Sequence, residues 1–263
     1  PTPRPWALLA PLLKRVTSLF VPVSRASSDM LLSLGVSEDR VRLVYNAVDP
    51  SFLGPLPSPP PDVLAAGPGP HIGLFGVLEP RKGADVFLEA VAPILRARPS
   101  ARAWVVGGLS FGANSEWTES LHRAAAGAGI APQVRFTGHR DDVAALMASM
   151  DAVLLASRAF ESLPTVLIEA MALGRPVAAT AVGGVREIVE DGRTGFVVPP
   201  GDAVALRAAA ERLLGPDGAV LAAEGRINAV ARFSPQRFGD EMASCWRELV
   251  ELRGAAPKAR RRW

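Results

Sequence analysis

From residue 70 onward the apolar positions fall into two alternating patterns. Short runs rich in Val, Leu and Ile lie near 71–78, 102–107, 133–137, 151–156, 175–180 and 194–198. Longer Ala- and Leu-rich segments with helical spacing lie near 83–98, 115–127, 141–149, 164–173, 184–190 and 202–214. Short apolar-rich runs of this kind are expected of strands in a buried parallel sheet. Strand–helix repetition of this kind predicts an α/β domain with a doubly wound parallel sheet over 71–232. In such sheets ligands sit beyond the carboxyl ends of the strands, so chemistry is sought in the loops that follow them.

The flanking segments read differently. Residues 1–50 predict a helix near 6–15, a strand at 19–24, a helix near 25–34 and a second strand at 41–45. Residues 51–70 are rich in Pro and Gly, the composition of a stiff, solvated linker, and predict a domain boundary. Two more helices are expected near 217–231 and 235–252, the second with an apolar stripe of Phe238, Met242, Trp246 and Leu249 seeking a surface to cover. Residues 253–263 form a basic tail, a candidate for peripheral contact with a membrane surface.

Composition narrows the function. The formal charge of +3 is too even for a protein whose main partner is nucleic acid, so any phosphate is bound locally. A single cysteine, Cys245, excludes an internal disulfide framework, and His71, His122 and His139 lack metal-ligand spacing, so no metal or cofactor site is predicted. A reducing cytoplasm fits this usage. The apolar stretch Trp6–Leu13 is interrupted by Pro11 and is too short to span a bilayer. The chain opens on Pro1, and its start is expected to be processed or to lie upstream.

The informative stretch runs from Ser157 to Gly201. Glu161 and Glu169 stand eight positions apart across a strand-to-helix junction, with Pro164 expected in the first helical turn. Spacing alone is unspecific; the context is not. Amides near Leu163, Thr165 and Val166, at the start of the helix, lack helical partners and would favour a diphosphate in the crevice. Glu161 lies in the loop at the mouth, and Glu169, in the nearly apolar segment Val166–Ala172, needs a dedicated partner such as a ribose diol. Glu79-Pro80-Arg81-Lys82-Gly83 follows the first strand and brings cations to the same edge. Gly107-Gly108 and Gly183-Gly184 follow strands there too, serving close approach to a ligand or simple tight turns. Gly138-His139-Arg140 ends the third strand and is placed to frame a base, largely through backbone atoms, while Asp141 and Asp142 are expected to cap the next helix.

Together these residues resemble the carboxyl-terminal, Rossmann-like domain of retaining family-four glycosyltransferases (glycosyl transferases group 1) of GT-B fold, over about residues 40–255. The glutamate pair matches Glu161 and Glu169, the lysine-glycine matches Lys82-Gly83, and Gly183–Val189 with Gly192–Gly195 match the loops that follow. Val41–Asp49 resembles the segment leading across the interdomain linker. The resemblance implies a nucleoside-diphosphate sugar donor, with Glu161 at the sugar, Glu169 at the ribose and Lys82 at the diphosphate. It implies transfer to a glycan, lipid or small-molecule acceptor, with no metal and no cofactor, the departing phosphate oxygen taking the proton of the incoming hydroxyl. Two departures stand out. The arginine usual five or six residues before the lysine is replaced by Val77 and Gly76, so that either Arg81 substitutes in part or the donor pocket is weakened. The amino-terminal acceptor domain is represented only by residues 1–50. A non-catalytic nucleotide-sugar-binding subunit is the alternative, whereas a dinucleotide oxidoreductase is disfavoured because no G-x-G-x-x-G follows the first strand.

Overall fold

The computed structural model describes residues 4–108 and 115–255. Its elements in chain order begin with α1 (Arg4–Val16), α2 (Arg25–Ser33), α3 (Pro61–Ala66), β1 (His71–Phe75), α4 (Ala84–Ala97), β2 (Arg102–Val106) and α5 (Ser115–Gly127). There follow β3 (Val134–Gly138), α6 (Val143–Ala148), β4 (Ala152–Leu155), α7 (Thr165–Ala172), β5 (Val177–Thr180) and α8 (Val185–Ile188). The chain closes with β6 (Phe196–Val198), α9 (Ala203–Leu213), α10 (Pro216–Arg232) and α11 (Pro235–Ala255). It divides into two compact units, Val48–Arg232 and the remainder, the latter joining residues up to Ala47 with those from Phe233.

The larger unit is the doubly wound sheet. Its six strands are all parallel and run in the order β3-β2-β1-β4-β5-β6, so the winding reverses between β1 and β4. Such a reversal opens a crevice at the carboxyl ends of the two central strands. The period of two divides the strand side chains between the faces. Ile72, Leu74, Ala103, Val105, Ala152, Leu154 and Ala178 pack with Phe87, Val91, Leu95, Leu121 and Leu206 of α4, α5 and α9. Residues of the opposite parity, such as Val153, Leu155 and Val177, face the side on which α7 packs against β4 and β5. Trp104 belongs to that parity and is fully buried; its indole donates to His71 Nδ1 at 3.1 Å, while His71 Nε2 meets Gly67 O at 3.0 Å. The indole N–H is therefore satisfied inside the core, and Trp104 serves packing.

Residues 51–70 depart from the linker expectation. They carry α3, and Phe52, Val63 and Ala66 are buried. Pro61 at the first helical position and Gly67 just past the end start and stop a short helix, a use of both residues that composition alone reads as linker.

The smaller unit also departs from expectation. The segments 19–24 and 41–45 are not strands: they share a single parallel bridge, Phe20 with Val41. Three backbone bonds join them, Phe20 N to Arg40 O, Arg42 N to Phe20 O and Val44 N to Pro22 O. Pro22 has no N–H to continue the ladder. The apolar face of α11 is Phe238, Met242, Cys245 and Leu249, which packs on Leu19, Val21 and Val44, whereas Trp246 stands 63% exposed. Helical phase explains the exchange: at about 100° per residue Phe238, Met242, Cys245 and Leu249 fall within an arc of roughly 60°, and Trp246 lies about 40° beyond its edge. Arg42 grips Glu248 through both guanidinium arms, at 2.9 and 2.5 Å. The basic tail from residue 256 lies outside the described residues.

Two glycines lock loops together at the carboxyl edge of the sheet. A Cβ on Gly83 (φ +68°) would lie 2.0 Å from Ala156 O, and one on Gly183 (φ +49°) would lie 1.9 Å from Glu161 O. Backbone cannot yield as a side-chain tip can. We therefore expect Gly83→Ala and Gly183→Ala each to cost about 3 kcal/mol or more. Gly192→Ala, which shares a positive φ of +75° but meets no atom within 4 Å, should cost only about 1 kcal/mol. Urea denaturation of the three variants decides the matter; equal losses would remove the argument from close approach.

Candidate functional site

The crevice at the β1/β4 reversal is built from three loops. After β1, Pro80–Lys82 forms a single 3-10 turn that Gly83 ends in the left-handed region, where α4 begins. This turn is tied to the loop after β4 by the Arg158 amide, which donates to Arg81 O at 2.8 Å, and by the Arg158–Asp85 ion pair at 2.7 Å. The loop after β5 holds the loop after β4 from the other side, the Gly184 amide donating to Glu161 O at 2.9 Å. Glu161 is thus fixed by its backbone at the centre of the interlock.

Its side chain is 9% exposed, and three donors converge on one oxygen, Oε1: Lys82 Nζ at 2.7 Å, Ser157 Oγ at 2.8 Å and Arg81 Nη1 at 3.2 Å. A carboxylate so far removed from water requires such partners. Arg81 also pairs with Glu79 at 2.6 Å. Glu161 is therefore not the solvated loop residue that its position in a turn would suggest, and Arg81, Lys82 and Glu161 form one ionic cluster.

Pro164 occupies the N-cap of α7 rather than its first turn. The Leu167 amide bonds Pro164 O at 3.1 Å, and among the described residues no carbonyl accepts from the Thr165 and Val166 amides. Leu163, just before them, is buried. Glu169 lies a turn beyond Thr165, whose hydroxyl donates to it. Burial, chiefly, lifts the Glu169 carboxyl above its ordinary value, and the nearby charge of Asp49 adds to the lift against the pull of Thr165. Asp49 itself accepts from the amide and hydroxyl of Ser51 and is held below its ordinary value by them. Glu169 is not part of the Glu161 cluster.

At the end of β3, Gly138 takes a positive φ of +67° and His139 extends outward, 83% exposed and 3.4 Å from Asp141. Arg140 is committed elsewhere: its guanidinium meets Asp142 at 2.7 Å and Asp62 at 2.9 Å, and the two carboxylates push its pKa further up. Asp142 stands at the N-cap of α6 but makes no side-chain cap; Arg140 has taken its carboxylate, contrary to the capping expectation. Any contribution of 138–140 to a ligand falls to the backbone and His139. Gly107 likewise serves the fold, since a Cβ there would lie 1.9 Å from Gly76 O. Ser157 was missed in the sequence: its place directly after an apolar strand and four residues before Glu161 is a signal only once the strand end is known.

A model of the family described as glycosyl transferases group 1 matches residues 69–215. A D-inositol 3-phosphate glycosyltransferase of Stackebrandtia nassauensis is 32% identical over 259 residues, covering 89% of this chain and 57% of the relative. The lipopolysaccharide core biosynthesis glycosyltransferase LpsE of Rhizobium meliloti is 31% identical over 173 residues, covering 65% of this chain and 48% of the relative. This chain thus spans about half the length of the curated relatives it matches. Among solved structures, Anabaena HepE in complex with UDP and glucose superimposes with a TM-score of 0.83 at 27% identity, covering 92% of this chain and 66% of that one.

Glu169 gives a pH test of the site. A carboxyl raised in the folded state contributes stability that is complete below its unfolded value and lost as pH rises through its folded value. Replacing it with a neutral isostere removes that loss. Relative to the parent, Glu169→Gln should therefore gain thermal stability as pH rises above the ordinary glutamate value of 4.5. Melting curves across that range check it; a flat or falling difference would show that the carboxylate is not under strain.

Proposed function

The chain belongs to the glycosyl transferases group 1 family, and on that premise we propose that it is the donor-binding part of a retaining glycosyltransferase that moves a hexosyl group from a nucleoside-diphosphate sugar to a glycan, lipid or small-molecule acceptor. The observation that carries the reading is the cluster of Lys82 and Arg81 on Glu161 at the β1/β4 reversal. Sheets of this topology bind ligands there. In this reading Lys82 and Arg81 take the charge that grows on the leaving diphosphate, together with the free Thr165 and Val166 amides. Arg81, already in the cluster, stands in for the cation that Val77 and Gly76 cannot supply. Glu161 meets the donor sugar, and Glu169 meets the ribose diol.

The chemistry is a substitution at the anomeric carbon on one face. The bond to the diphosphate oxygen breaks, the bond to the acceptor oxygen forms, and the acceptor's proton passes to the departing phosphate oxygen. Fixed cations and amides stabilise that oxygen as its charge develops. No metal and no cofactor enters the proposal, and a cytoplasmic location is part of it. The UDP and glucose held by HepE support a nucleotide-sugar donor here. The acceptor would be held by sequence that the longer relatives possess and this chain does not span.

In the complete enzyme, Glu161→Gln should lower turnover at least about tenfold, because its contact is with the sugar and the transition state. Lys82→Ala should cost about 2 to 4 kcal/mol of transition-state stabilisation. Transfer should persist in a chelator. Steady-state kinetics with and without EDTA test the set; activity abolished by chelation and restored by manganese or magnesium would overturn the metal-free mechanism.

A further inference from the structure

The two oxygens of Glu161 are treated unequally. Oε1 receives all three donors, Lys82, Arg81 and Ser157, while Oε2 has no partner among the described residues. On the reading above, two of those donors have a second task, because a diphosphate in the crevice competes with Oε1 for Lys82 and Arg81. Ser157 has none. Its hydroxyl is fully buried and points to Oε1 at 2.8 Å.

Ser157 is itself anchored. The Thr180 hydroxyl, at the end of β5 and fully buried, donates to Ser157 O at 2.6 Å. The link joins neighbouring strands β4 and β5 at their carboxyl ends. Both hydroxyls sit where the surrounding positions are apolar, among Leu154, Leu155, Ala156, Ala178 and Ala179. A buried hydroxyl in such company is costly unless its bonds are made.

We propose that Ser157, held by Thr180, is the positioning residue that keeps the Glu161 carboxylate aimed into the crevice when Lys82 and Arg81 turn to the donor diphosphate, leaving Oε2 to accept from a hydroxyl of the donor sugar. The inference rests on the donor-binding reading above. It assigns Lys82 and Arg81 a shared duty: they neutralise Glu161 in the free protein and the diphosphate in the complex. Ser157 supplies the bond that persists through the exchange.

The test uses the chain as it stands and calorimetry with UDP, GDP and ADP, each alone and as UDP-glucose, GDP-mannose and ADP-glucose. The quantity read is the advantage the sugar confers, the Kd of the diphosphate divided by that of its conjugate. In Ser157→Ala this advantage should fall about tenfold, the worth of one hydrogen bond to a charged group, while the Kd of the diphosphate stays within about twofold. Thr180→Val, near in shape but without the hydroxyl, should lose part of the advantage, and Thr180→Ser should restore it. If Ser157→Ala does not fold, the Thr180 pair decides. A sugar advantage absent from the parent, unchanged in Ser157→Ala or Thr180→Val, or lost in parallel with diphosphate affinity would overturn this inference alone. A parent chain that binds none of the six would overturn the donor-binding reading and this inference with it.

Discussion

A carboxylate held almost out of water at the end of a parallel sheet is the constraint around which the larger unit is arranged. Glu161 cannot be buried without cations, and the cations cannot reach it unless the turn after β1 lies against the end of β4. That approach demands a residue without a side chain at Gly83. The backbone of Glu161 in turn must touch the loop after β5, which demands another at Gly183. One ionic requirement thus fixes the path of three loops, and those loops line the crevice that strand order opens. Fold and site share one set of contacts here, and it is the backbone path of the crevice loops that these contacts fix.

Much of the sheet was legible because its signal is redundant. Every strand from His71 to Val198 except the edge strand β3 is dominated by apolar residues, each crossover has helical period, and errors at the ends are of no more than three residues. Outside the sheet the same reasoning fails where one residue changes the outcome. Pro22 interrupts a ladder that Leu19–Val23 would otherwise support, and Pro61 with Gly67 makes a helix out of a linker composition. On α11 the bulky Trp246 drew attention away from Cys245, whose small apolar side chain sits on the buried face. Size is a poor guide to burial when the helical phase decides.

The site was legible in its residue types but not in its pairings. That Glu161, Lys82 and Arg81 share an edge follows from their places after β4 and β1; that they share one oxygen does not. Likewise nothing in the sequence says that Arg140 spends its guanidinium on Asp62, seventy-eight positions away. The two glutamates also part company. Glu161 is surrounded by donors, whereas Glu169 has one hydroxyl and an acidic neighbour, so a ligand that brings donors to Glu169 relieves an existing cost instead of replacing an existing bond. Equal spacing in the chain conceals opposite electrostatic situations.

The smaller unit is assembled from both ends of the chain, with Arg42 meeting Glu248 across 206 positions. Its core residues Leu19 and Val44 find their apolar cover, Phe238 to Leu249, only after the entire sheet unit has been threaded between them. The two halves of that small core are thus separated in sequence by the whole of Val48–Arg232. A contact across so long a loop carries a closure entropy that a compact intervening unit reduces. By contact order, the contacts of low sequence separation within the sheet unit are expected to form ahead of those between Leu19 or Val44 and α11.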